Sequence, residues 1–319
     1  MRHSTFVSGL VILASTVPAL ASEPGGTAGP LLTLLKSGRL PEERVGTVVE
    51  LVCQRGGPAE LGYVYQQAIR EDGYTGELRQ NTLDWLADAA RTRKVRPEGD
   101  LSGIAKLIDP QHPDRRPQTQ LTAIRLAGLW KVESAAGNLQ SIALNTATKP
   151  QQLDATIDAL ANIGGESGRE TIAALTTAER PLPVRYQAVA AMTRFDLAAA
   201  AERAADALAD TGEDDDPAAM IDAFLERRGG PQQLAASLKQ QPPSADVAKR
   251  VLRYIYSVGQ TDAALGDVLS AAAGITANPE PLTPEEIKQL AVEVVEHGDP
   301  ARGEEVFRRA DLSCMKCHA

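Results

Sequence analysis

The chain has 319 residues and a formal net charge of -9, with a pI near 5.1, an acidic balance that argues against nucleic acid as a partner. Aromatic residues make up only 4% of it while Ala and Leu are abundant, which favours many thin helix–helix contacts over one large globular core.

The first segment reads as an export signal. Arg2 supplies a positive start, residues 6–14 an apolar stretch, and Ala19-Leu20-Ala21 a small-residue cleavage site. The competing reading is an uncleaved anchor, but residues 6–21 are short for a membrane span and Pro18 interrupts them. Residues 1–21 are therefore expected to be a signal peptide, and the mature chain to occupy the periplasm or an equivalent extracytoplasmic compartment. No later stretch approaches transmembrane length, so after cleavage the protein is expected not to be integral to a membrane.

Apolar residues recur at helical spacing through most of the remainder and strand signals are nearly absent, which predicts an all-α fold. Residues 22–117 form an N-terminal helical region broken at 38–41, 56–58 and 73–76, either degenerate repeats or a capping end. Cys53 lies there in the apolar run 48–53 and reads as a small buried hydrophobe. Arg91, Arg93, Lys94 and Arg96 precede Pro97 at a helix end, where cations complement the helix dipole. Docking of an acidic partner is the other reading of that cluster.

From 118 to 273 the pattern repeats. Leu121, Ala123 and Ala127 are matched 32 positions on by Leu153, Ala155 and Ala159. The same shift aligns Ile157, Ala159, Leu160 and Ile163 with Val189, Ala191, Met192 and Phe195. A period in the low thirties with two helices per unit signals an α-solenoid and resembles bacterial HEAT-like repeats. Helix pairs are expected to begin near Gln118, Gln151, Pro183, Asp216 and Ser244, with turns at Gly164-Gly165, 210–217, 229–231 and 241–243. The alanines at 127, 159 and 191 let helices approach closely, and Met192 and Met220 read as core filling. The run Glu213, Asp214, Asp215, Asp216 lacks the alternating ligands and central Gly of a calcium loop. It reads as a solvated loop, with Asp216 capping the helix that begins at Pro217.

Residues 274–319 open with a Pro- and Gly-containing linker. Thr283, Pro284 and Glu286 then form a helix start with a T-x-x-E capping box, and Leu282 and Ile287 have the spacing of a hydrophobic staple. That helix should end at His297-Gly298, and a second should begin at once with Asp299 as N-cap and Pro300 at its first position. Beyond it stands Cys314-Met315-Lys316-Cys317-His318, a C-x-x-C-H attachment motif for c-type haem. A redox dithiol would need a βαβ context and a zinc site further Cys or His nearby; neither is present. Cys314 and Cys317 are the expected covalent anchors of one haem c, and His318 the axial ligand of its iron. Cys53 then has no disulfide partner.

The helix carrying Gly303 and Phe307, a short spacer and C-x-x-C-H resembles the opening of a class I cytochrome c. The resemblance implies that Gly303 is a close-contact position for a later helix and that Phe307 packs beside it. It also implies that Cys314 and Cys317 form the thioethers and that His318 is the proximal ligand. The chain departs from that family by stopping one residue after His318, so the sequence is expected to be a piece of a longer protein. Taken whole, it is similar to haem-binding proteins of planctomycete and verrucomicrobial bacteria, which often carry a sugar-dehydrogenase-like β-propeller ahead of the repeats; no propeller is present here. The resemblance implies electron transfer with redox protein partners, the helical repeats serving to dock them. A protein-binding scaffold with incidental or sensory haem, and the electron-accepting part of a dehydrogenase system, are the alternatives. No nucleophile–base pair or phosphate-binding loop points to an enzyme. Mass spectrometry of the exported protein should find Ser22 at the N-terminus, and an intact 1–21 segment would contradict the export reading.

Overall fold

A computed structural model describes residues 28–109, 112, 116–260, 262–275, 282–309 and 314–316. The expected signal peptide, residues 1–21, lies outside them. The described residues are all-α, with no strand among them, and no helix among them is long and apolar enough to cross a membrane. The chain divides into two units at Gly99–Asp100, each taken by itself below.

The first unit holds α1 (Gly29–Lys36), α2 (Glu42–Arg55), α3 (Pro58–Ile69) and α4 (Gly76–Thr92). Helix α2 packs on each of the other three, and α3 packs on α4. Val49, Val52, Leu61, Val64, Tyr65, Leu83 and Leu86 form the buried centre. Helix α3 starts on Pro58 with the Glu60 carboxylate accepting from the Gly57 N–H at 3.0 Å, which satisfies an amide that has no partner within the helix.

In the second unit the short α5 (Ile104–Ile108) precedes α6 (Pro117–Leu129). Gln120 Nε2 donates to the Ile108 carbonyl at 2.7 Å and Asn138 Nδ2 to that of Ala105 at 2.8 Å. Those bonds bind α5 to the helices that follow, so this packing begins ahead of residue 118, where the repeat was expected to start. A 3-10 turn at Glu133–Ala135 runs into α7 (Ala136–Leu144). Then come α8 (Pro150–Ile163), α9 (Glu166–Ala174), α10 (Leu182–Met192), α11 (Leu197–Ala209), α12 (Ala218–Leu225), α13 (Gly230–Gln240), α14 (Ala245–Ser257) and α15 (Ala263–Ala272). Each of α8, α10, α12 and α14 packs on the helix that follows it and on the one two places before it. The same holds across α7 and α9, α11 and α13, and α13 and α15.

Starts and stops follow local chemistry. Pro occupies the first turn of α6, α8, α10 and α13, where its missing N–H costs nothing. Asp196, Ser244 and Asp262 cap α11, α14 and α15 through their side chains. Gly164 and Gly165 turn α8 into α9 with φ of +78° and +80°, a conformation side-chain-bearing residues rarely adopt.

The core of this unit is built largely from small residues. Ala123, Ala127, Ala188, Ala200, Ala201, Ala204 and Ala207 are fully buried, and Met192 and Met220 fill gaps between them. Gly128 brings α6 close against α8, where an added Cβ would lie 2.7 Å from Ala159 Cα. Polar side chains stitch alternate helices together. Gln152 donates to Gln120 at 2.9 Å, Arg194 to Asp158 at 2.6 Å and to Asn162 at 3.3 Å, and Tyr254 to Asp222 at 2.5 Å. Three of those four bonds join residues 32 apart, the offset seen in the sequence. Buried threonines return their hydroxyls to the carbonyl one turn back, as Thr156 does to Gln152 and Thr171 to Ser167.

Gly128→Ala should destabilise by about 1–3 kcal/mol through overpacking against Ala159, lowering Tm by roughly 2–10 °C for a domain of this size. Gly137→Ala on α7, where a Cβ meets nothing within 4 Å, should leave Tm unchanged or raised. Thermal denaturation of the two variants side by side checks the contact.

Candidate functional site

The C-terminal segment places its helices where capping chemistry dictates. Helix α16 (Pro284–His297) begins at a reciprocal cap: Thr283 Oγ1 accepts from the Glu286 N–H at 3.2 Å, and Glu286 Oε2 accepts from the Thr283 N–H at 2.7 Å. The Thr283 N–H, with the Thr283 hydroxyl donating to the same oxygen at 2.9 Å, holds the Glu286 carboxyl below the usual carboxylate range. The helix stops at Gly298, where a Cβ would come within 2.3 Å of the Val294 carbonyl oxygen. Asp299 Oδ1 then accepts from the N–H groups of Ala301 and Arg302 at 3.0 and 3.1 Å, starting α17 (Pro300–Phe307). No side chain of α16 or α17 is buried, and an added Cβ at Gly303 meets no atom within 4 Å. Leu282 and Ile287, expected as a staple, are each more than half exposed.

Cys314 is half-buried and opens a 3-10 turn, Cys314–Lys316. Cys317 stands three residues after Cys314. Cys317 and His318 themselves lie outside the described residues. Among the described residues no group of three or more His, Cys, Asp or Glu is assembled to hold a metal ion, and His297 stands exposed at the end of α16.

Cys53 is a different kind of thiol. It is 1% exposed on α2, and burial pushes it up to about 12, against the opposing charge of Arg93. At neutral pH it is a protonated core group with negligible nucleophilicity.

Members of both charge clusters make structural contacts. Arg93 reaches back to the C-terminus of α2, donating from Nη2 to the Cys53 carbonyl at 2.7 Å and from Nη1 to that of Gly56 at 2.9 Å. It neutralises the end of α2 and not, as the sequence implied, its own helix. Arg91 pairs with Asp88 at 2.5 Å on the same helix. Sequence reasoning missed the Arg93 clasp because its partners lie 37 and 40 residues away. The acidic loop is clasped the same way: Arg250 on α14 donates to the carbonyls of Gly212, Glu213 and Asp215 at 2.6 to 3.0 Å. Asp215 accepts from the Gly212 N–H at 2.8 Å, and Asp216 accepts from the Ala218 N–H at 2.9 Å. Pro217 holds the N-cap position itself, one residue later than expected. Burial, the bond to Asp222 and nearby carboxylates push Tyr254, beside this loop, up to about 12.

A cleft of about 760 Å³ opens between the α7–α8 and α9–α10 connections. Leu153, Val184 and Pro183 supply apolar wall, with Thr148, Glu179 and Arg180 among its polar lining. Thr148 is already committed to the Ile142 carbonyl.

Iodoacetamide at pH 8 should label Cys314 in the haem-free native chain and leave Cys53 unlabelled until the protein is unfolded. Peptide mapping of the adduct sites reads this directly, and native labelling of Cys53 at a comparable rate would contradict its burial. No family model, no curated protein and no solved structure matches the chain.

Proposed function

We propose that the chain is an exported c-type haem protein that acts in electron transfer, with its stacked helix pairs forming a HEAT-like solenoid that docks redox partners. The C-x-x-C-H run at 314–318, directly after a helix bearing Gly303 and Phe307, is the single observation that carries the reading. Three features support it. Asp299 caps α17, the helix that bears Gly303 and Phe307, the residues on which the resemblance to a class I cytochrome c rests. The face of α17 at Gly303 is open to a further element. Cys314, the first thiol of the run, is half-buried in a 3-10 turn. The stacking of alternate helices, with bonds between residues 32 apart, supports the solenoid.

The donor set fits haem. Two thiols can form thioethers, and the imidazole of His318 supplies one axial nitrogen. Bound there, haem c supplies one-electron chemistry. The chain's own residues hold it by Cys314 and Cys317 and set the basicity of one ligand through His318. Cys53, buried and protonated, stays outside this chemistry.

Replacing both Cys314 and Cys317 with Ser should abolish haem staining that survives denaturing gel electrophoresis. Replacing His318 alone should leave the covalent adduct but change the iron spin state. Asp214→Asn, in the clasped acidic loop, should change neither. Retention of denaturation-resistant haem by the double Ser variant would overturn the assignment.

A further inference from the structure

Helix α16 is apolar around more than half of its circumference, and that arc is open. With successive residues about 100° apart around a helix, Leu290, Val294, Ile287, Ala291, Val295 and Val292 follow one another over about 200°. Ile287 is 54% exposed, Leu290 51%, Val292 54%, Val294 60% and Val295 85%. A helix of 14 residues is marginal in water by itself. Four of its residues are β-branched and lose χ1 freedom in the helix. Local support comes from the Thr283–Glu286 cap, Pro284 and the acidic first turn, and the Gln289–Glu293 contact. Burying the apolar arc is what would stabilise it.

The width of the arc and the charges beside it say what kind of surface covers it. A second copy of α16 covers a single stripe, roughly 100° wide, and leaves Val292 and Val295 in water. So does any flat apolar face. A groove with two walls buries the whole arc. Glutamates stand at both edges: Glu286 and Glu293 beyond Leu290, and Glu285 and Glu296 beyond Val292. Lys288 is the one cation on the helix apart from the terminal His297, and it falls within the arc, where its stem can lie along a wall while the ammonium reaches water. We infer that α16 is a docking helix that enters an apolar groove with a lysine- or arginine-lined rim on a partner protein. Its anchors have the i, i+3, i+7 spacing of Ile287, Leu290 and Val294. Four glutamates against one lysine also disfavour an anionic lipid surface. The inference rests on α16 alone and stands whether or not haem is attached at Cys314.

Two designed three-helix bundles serve as probes for the full chain, each with a leucine-lined groove, one with a lysine rim and the other with a glutamate rim. Calorimetric titration should show the lysine-rim bundle binding at least about tenfold tighter, with the gap closing in 1 M salt. Leu290→Asp with Val294→Asp should weaken that binding by at least about tenfold. Circular dichroism and Tm of the double variant should match the parent, because α16 buries nothing. Equal affinity for the two rims, no binding to either, or binding that survives the double substitution would overturn the inference. Two further outcomes would also overturn it: a dimer by sedimentation that the double variant converts to monomer, or flotation with phosphatidylglycerol vesicles that the double variant abolishes.

Discussion

The close approach of successive helices through small side chains constrains everything else in the second unit. At Gly128 and Ala159 the backbones of α6 and α8 come together without room for a single added methyl group. Alanines take that role further along, at Ala188 on α10 and at Ala201 and Ala204 on α11. Contacts of this type bury little area apiece, so no one helix pair stabilises itself and each depends on its neighbours on both sides. A chain so poor in aromatic residues has little alternative. Trp130 and Phe224 are among the few large rings in the interior.

Small contacts leave the register of one helix on the next underdetermined, because alanine surfaces are smooth. Polar bonds supply the missing specification. The pairs Gln152–Gln120, Arg194–Asn162 and Tyr254–Asp222 tie α6 to α8, α8 to α10 and α12 to α14 at one offset of 32 residues. Within the α10–α11 pair, Arg185 is almost fully buried and meets Asp210 at 2.7 Å, and the hydroxyls of Tyr186 and Thr211 bond to each other beside it. Guanidinium groups recur at helix ends for a related reason. Arg93 and Arg250 each gather backbone carbonyls that have no partner within a helix. Arg93, which the sequence groups with surface cations, thereby holds a helix end.

Which parts of this were legible follows from the range of the interactions. Helix starts depend on a proline or a capping residue within three positions. The first helices accordingly begin at Pro117, Pro150, Leu182, Ala218 and Ala245, within one or two residues of expectation. The Thr283–Glu286 and Asp299 caps were readable for the same reason. Long-range choices were not: nothing local says that Arg93 serves α2, or that Gly128, one residue beyond the repeating Ala127, abuts the backbone of α8. Periodicity alone also does not say whether an apolar arc is covered, and α16, with its strong apolar pattern, is exposed along its whole length. At the attachment motif the residue types carry the reading and geometry adds Cys314 and its turn, with Cys317 and His318 outside the described residues.

The account stands or falls on whether the thiols at 314 and 317 carry haem. Trypsin cuts after Arg309 and Lys316, so a haem bridging the two cysteines joins the 310–316 peptide to the one beginning at Cys317. Mass spectrometry of the protein isolated from its native cells should find these two peptides as one species, heavier by a single haem. Recovery of both peptides with free thiols, or joined only by a disulfide, would contradict the assignment.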